Sequence, residues 1–198
     1  MKNYLFMLLI FLISSANAVK VNSMYVNGGS YKILHIINRN NSGYIYADNY
    51  RHQKILIYKA SFPYLPNSVF GSDQIDMTDI LSIDFQCKKE SNMGCTRFFN
   101  RRNDKLSDIY TYILDYDAVK DIVAYFIKEE GLVVISRAFK ICKKPLTFHV
   151  NLEENSDFGL KTKFLLKGGL QLDYETPDGK DILKIIHPDY EKLLGNCS

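Results

Sequence analysis

VKVNSMYVNGGSYKILHIINRNNSGYIYA, residues 19–47, decides the fold. Val, Ile and Tyr crowd the stretch, and these residues fit a pleated, half-buried surface. Two polar turns divide it, Asn27-Gly28-Gly29 and Asn40-Asn41-Ser42-Gly43. Asn-Gly supplies the positive-φ residues of a tight hairpin, so strands over 19–26 and 31–38 are expected to pair antiparallel. With 44–47 and 55–59 they make a meander.

Upstream, residues 1–18 read as a signal peptide: Lys2, an apolar run over 4–13, then Ser14-Ser15-Ala16-Asn17-Ala18. Small residues at Ala16 and Ala18 suit cleavage after Ala18. The run is roughly half of the ~20 apolar residues a membrane span needs. The expectation is a periplasmic or secreted protein with no stable membrane insertion after cleavage, and one domain over 19–198. Taking those 18 residues from 198 leaves 180, and losing Lys2 turns 25 bases against 22 acids into 24 against 22. That balance demands no nucleic acid as partner, and no Pro-, Gly- or Ser-rich linker divides the chain.

Downstream, Pro63 and Pro66 argue for a packed surface loop over 61–71. Strands follow at 81–87 and 109–114. In residues 117–130, Val119, Ile122, Val123, Phe126 and Ile127 recur at three- and four-residue spacing, which predicts one central helix started by Asp117 and closed by Gly131. Strands at 132–139, 146–151, 162–166, 170–174 and 182–186 follow, then a short C-terminal helix over 188–194. About ten strands, mostly hairpin-linked, predict an α+β, mainly β fold: an antiparallel sandwich or barrel-like sheet.

The four cysteines, Cys87, Cys95, Cys142 and Cys197, form an even set with none in the leader. Four thiols in an oxidising compartment permit three pairings. Cys87 and Cys95 flank a short polar loop whose Gly94 lets the chain turn back, which favours a local bridge and leaves Cys142 for Cys197. No CxxC or HxxxH spacing indicates a metal site.

No GxSxG, GxxxxGK[ST] or GxGxxG string occurs, so neither a nucleophile elbow nor a phosphate-binding loop is predicted, and no cofactor is implied. His35, His52, His149 and His187 are scattered, and His35 and His149 fall within expected strands. Asp173 and Glu175 share a strand face and read as solvated acids. Two features suggest recognition. Lys88, Lys89, Arg97, Arg101, Arg102 and Lys105 gather around the Cys87–Cys95 loop against Glu90 and Asp104 alone. Tyr44 and Tyr46 share a strand parity, and a tyrosine stripe offers rigid apolar area with a hydroxyl at each end.

The run 27–43, a strand after Gly-Ser and another ending in Asn before a polar turn, resembles immunoglobulin-like pilus chaperones over that short stretch. The chain is short for their two sandwich domains, and a helix over 117–130 departs from their pattern, so no site residue is carried over. The function expected is an exported, non-catalytic protein that binds another macromolecule, as an inhibitor, immunity-type or assembly factor does. Lys88, Lys89, Arg97, Arg101, Arg102, Tyr44 and Tyr46 are the candidate binding residues. The alternatives are a periplasmic pilus-chaperone-like assembly factor and a secreted hydrolase.

Overall fold

The structure is a computed structural model that describes residues 20–26, 31–38, 42–60, 62, 69–75, 78–88, 94–152 and 159–197. The expected leader, residues 1–18, lies outside them. Fifteen strands run through the described residues in four antiparallel sheets. The first sheet holds β1 (Lys20–Val26), β2 (Tyr31–Ile37), β3 (Gly43–Asp48) and β4 (Lys54–Lys59). The second holds β5 (Val69–Gln74), β6 (Ile80–Gln86), β7 (Gly94–Asn100) and β8 (Lys105–Thr111). The third holds β9 (Ile113–Asp117), β10 (Ile122–Ile127), β11 (Leu132–Arg137) and β12 (Leu146–His149). The fourth holds β13 (Lys161–Phe164), β14 (Leu170–Glu175) and β15 (Asp181–Ile186), and α1 (Tyr190–Gly195) closes the described chain.

Every sheet is a meander in which strand neighbours are sequence neighbours, so backbone pairing is local and the sheets must be joined by side chains. Three apolar clusters do this. Ile33, Ile45 and Ile57 of the first sheet meet Leu81, Phe85 and Phe99 of the second. Ile80, Phe98 and Tyr110 of the second sheet meet Val123 of the third. Ile122, Phe126 and Ile135 of the third meet Leu170 and Leu172 of the fourth, together with Leu193 of α1.

The central helix expected over 117–130 is absent: that stretch is a turn, strand β10 and a 3-10 turn, Lys128–Glu130. The reason lies in β10, IVAYFI, which is buried on both faces. Ile122, Ala124 and Phe126 point to one cluster while Val123 and Tyr125 point to another. A strand covered on both sides shows no alternation of polar and apolar residues, and its run then matches helical spacing as well as strand spacing. The capping signals are real but serve turns. Asp117 Oδ1 accepts from the backbone N–H of Val119 (2.9 Å) and Lys120 (3.0 Å), an Asx turn rather than a helix start. Asp121 follows at φ 57°, which no helix continues through, and Gly131 at φ 62° ends the 3-10 turn. Val119, assigned to the helix's apolar face, is 95% exposed.

The C-terminal helix does form, as α1, with Asp189 accepting from the Lys192 N–H at 2.9 Å as its N-cap. Strand β5 begins inside the 61–71 stretch expected as a loop, β7 runs mostly through residues given no element, and the strand expected at 109–114 breaks in two at Tyr112, where φ is 52° and the chain passes from the second sheet to the third. The cysteines pair as Cys87 with Cys95, inside the β6–β7 hairpin, and Cys142 with Cys197, which ties the chain after α1 back to the β11–β12 connection.

The bridges span 8 and 55 residues respectively, and a closed loop restrains the unfolded chain more as it lengthens. Replacing both Cys142 and Cys197 by Ser is therefore expected to cost about 4 kcal/mol, against about 2.5 kcal/mol for the Cys87 and Cys95 pair. Urea unfolding of the two double variants checks the order, and a larger loss for the short loop contradicts it.

Candidate functional site

Of the six cations gathered in sequence around the Cys87–Cys95 loop, the five that the structure describes are spread along the β6–β7–β8 strands and turns. Strand β7 separates them: Lys88 follows the end of β6 beside the disulfide, whereas Arg101 and Arg102 lie in the turn at the other end of the hairpin. Seven residues of extended chain put about 20 Å between those ends. Lys89 lies outside the described residues.

Two of the arginines expected in the basic binding loop turn inward. Arg101 is 2% exposed. Its Nε donates to the Asp48 carbonyl (2.9 Å) and its Nη2 to the Asn49 carbonyl (3.1 Å), both at the β3–β4 turn. Its guanidinium carbon sits 3.2 Å from the centre of the Tyr31 ring, with Tyr50 at 6.0 Å on the approach from solvent. Backbone bonds reinforce the joint: Tyr50 N–H donates to the Arg101 carbonyl and Arg101 N–H to that of Asp79. Arg97 is half-buried and donates through Nη1 to the Ile57 carbonyl (2.6 Å) of β4 and through Nε to the Ser107 carbonyl (2.8 Å) of β8. Burial holds its pKa below the ordinary arginine value, although the carboxylate of Asp108 opposes the shift. Sequence signals for this role exist only in hindsight: a cation inside a strand parity that also carries Cys95 and Phe99 points at the core.

Arg102 is exposed and pairs with Asp79 at 2.7 Å. Lys88 is exposed, and its carbonyl accepts from the Gln86 side chain. These two remain on the surface, at opposite ends of one hairpin.

Tyr44 and Tyr46 behave differently. Along β3 the burial alternates, with Ile45 and Ala47 in the cluster shared with the second sheet and the two tyrosines half-buried on the opposite face. Their rings stack with centroids 6.4 Å apart, and the Lys59 ammonium lies 5.8 Å from the Tyr44 ring centre. Strand register extends the face. Val21, Ile36, Tyr44 and Lys59 form one cross-strand row, and Leu34, Tyr46 and Leu56 form the next. Val21 is 55% and Leu56 42% exposed. An antiparallel sheet with one face on a core ordinarily turns polar residues to the other side, and this one turns aliphatic and aromatic residues there.

A groove of about 780 Å³ lies elsewhere, between the β9–β10 turn and the end of β13, lined by Asp115, Asp117, Lys120, Lys163, Phe164 and Leu166 among others. Asp115 accepts from the N–H of Phe164 (2.5 Å) and of Tyr116 (2.9 Å). Burial raises its pKa, and those two bonds offset the rise only in part. Asp117 is also penalised by burial, but the Lys120 ammonium at 2.6 Å and the two backbone donors of its turn outweigh that and hold its pKa down.

His35 is buried on the core face of β2, while His52, His149 and His187 are exposed on three separate segments. Among the described residues, no group of three or more His, Cys, Asp or Glu side chains is placed to hold a metal ion. No protein-family model matches the chain, and no curated protein is significantly similar to it.

Arg101→Ala is expected to cost about 2–4 kcal/mol in urea unfolding, since two carbonyls in a dry site lose their donor. Arg102→Ala, removing a pair whose guanidinium side is 77% exposed, should change stability by at most about 0.5 kcal/mol. Equal losses would return Arg101 to the surface.

The two groove aspartates should titrate on opposite sides of 3.8. Asp117, with its pKa lowered by folding, stabilises the fold above that value and loses the contribution as pH falls through its folded pKa. Asp115, with its pKa raised, has the opposite sign: its ionised form costs stability at neutral pH, and the cost is relieved as pH falls through the raised value. Carboxyl-carbon NMR titration checks the order, and the reverse order refutes the geometry.

Proposed function

We propose that the protein works outside the reducing cytoplasm as a non-catalytic binding protein, and that its partner is another protein held on the outer face of the first sheet. The observation that carries this reading is the pair of cross-strand rows centred on Tyr44 and Tyr46. A face of stacked tyrosines with exposed Val21 and Leu56 and a flanking Lys59 has the composition of an interface rather than of a solvated surface. The tyrosines already stack on each other, so they lose little side-chain freedom on binding.

The signal-like leader and two disulfides support an extracellular or periplasmic setting. No helix among the described residues is long and apolar enough to cross a membrane. The apolar clusters, each shared by two sheets, support reading the chain from Val19 onward as one domain of face-to-face sandwiched sheets, because the second and third sheets each contribute to two clusters.

The test replaces Tyr44, Tyr46 and Leu56 together by Ser and compares affinity capture from the native extracellular material. These side chains lie outside the shared core, so the urea midpoint should stay close to that of the parent while the captured partner falls at least about tenfold. Undiminished capture by a folded triple variant refutes the assignment of this face. Charge reversal of Lys88 and Arg102, tested in parallel, reports what the exposed remnant of the basic cluster adds, and a rim charge should alter the salt dependence more than the retained amount.

A further inference from the structure

The most exposed aliphatic side chains in the described structure line one groove, on two turns that contribute nothing to the tyrosine face. Leu166 is 107% exposed and Val119 95%, and both line the groove between β9 and β13. The bond from Phe164 N–H to Asp115 ties β13 to β9 close to where both strands end, so the β9–β10 turn and the β13–β14 turn project from the same end of the molecule. Each turn is firmly built. Asp117 accepts from two backbone donors of its own turn, and in the other the Leu165 N–H donates to the Gly169 carbonyl (2.8 Å) and the Gly168 N–H to that of Leu165 (2.8 Å), with Gly168 at φ 85°. Held this way, the two aliphatic side chains cannot fold back to cover themselves.

Lysines surround them. Lys120 follows Val119, Lys167 follows Leu166, and Lys163 lies on the groove wall. Lys120 is committed to Asp117 and lies 5.3 Å from the Tyr190 ring centre. Lys163 and Lys167 form no ion pair among the described residues; Lys120 offsets Asp117 and Lys163 lies in the field of Asp115, so the three lysines outnumber the two groove carboxylates. The charge left to meet a partner is therefore positive, and the apolar area is presented as two separate prongs rather than a flat face.

We infer that these paired turns dock the protein on an anionic lipid bilayer, with Val119 and Leu166 entering the headgroup boundary and Lys163 and Lys167 meeting phosphate. A bilayer surface accepts isolated prongs without a matching cavity, because hydrocarbon lies just beneath the headgroups and lysine stems reach across the boundary. A protein partner would need two pockets at the spacing of the turns. The contact is peripheral, in keeping with the lack of any spanning helix among the described residues, and reversible, since two short side chains and two or three cations give marginal anchoring alone.

The experiment is flotation of the purified protein with vesicles of phosphatidylcholine alone and of phosphatidylcholine with phosphatidylglycerol. Wild type should partition onto the anionic vesicles, and less so onto neutral ones or at high salt. Val119→Ser with Leu166→Ser should reduce the partition about tenfold or more, and Lys163→Gln with Lys167→Gln should reduce it by a similar factor on anionic vesicles only. All four positions are solvent-facing, so the variants should keep the parent's unfolding midpoint. No partition by wild type, equal partition onto neutral vesicles, or an undiminished Val119 and Leu166 variant would overturn the inference. The last outcome would also assign any binding to another apolar stretch, residues 4–13 included. The Tyr44, Tyr46 and Leu56 variant should float like wild type, which keeps this result separate from that of the tyrosine face.

Discussion

A guanidinium keeps its charge at any pH a protein meets, and the junction of the first two sheets is built around that fact. Arg101 is admitted between them because the carbonyls of Asp48 and Asn49 accept from it and the Tyr31 ring lies flat against it. Those carbonyls belong to the β3–β4 turn, whose own geometry depends on Asn49: its Oδ1 accepts from the N–H of Arg51 and of Gln53. One side chain thus fixes the turn of one sheet onto the hairpin of the next. Arg97 repeats the device between strands, bridging β4 to β8 through the carbonyls of Ile57 and Ser107.

Such joints matter because no strand ladder runs from one of these sheets into the next. Each is a meander whose strands pair with sequence neighbours, so the ladders are local and the sheets meet through side chains. Apolar contact supplies most of the attraction but is non-directional, and two flat apolar faces can slide on one another. Hydrogen bonds from a rigid five-donor fork specify one register. The third and fourth sheets are joined differently, by β10 facing two clusters at once and by Leu193 of α1 entering the outer one, with the Cys142–Cys197 bridge holding that helix in place.

How much of this was legible follows from which faces are buried. Strand β14 alternates visibly and the opening strands are rich in Val, Ile and Tyr, with Gly or Asn in the turns beside them, so the opening meander and the final sheet could be read from residue type alone. Where a strand is buried on both sides the alternation vanishes, which is why IVAYFI passed for a helix. Strand β7 was hidden for another reason. GCTRFFN carries an arginine and follows a polar loop, and without the knowledge that β4 and β8 offer carbonyls to it, Arg97 reads as a solvated charge. The disulfide pairing was accessible because one loop is short. The expected cation cluster rested on closeness in sequence, which along a hairpin is distance in space. The tyrosines needed only their parity to be placed together, but which way they faced was decided by the first sheet's register against the second.

The inward turn of the arginines and the outward turn of the apolar residues are two consequences of the same packing. Arg97 and Arg101 of the second hairpin point to the junction, while on the outer face of the first sheet Val21, Leu56 and the tyrosine pair stand among Lys32, Asp48 and Lys59. The prongs at Val119 and Leu166 belong to the other end of the sheet order, on turns of the third and fourth sheets, with two shared clusters intervening. A broad aromatic face and a pair of pointed aliphatic turns suit different partners, the first a folded surface that can match its shape and the second a boundary that needs no matching. The two surfaces share neither a strand nor an apolar cluster, so on the proposed readings a protein on the tyrosine face and a bilayer on the turns would contact different elements.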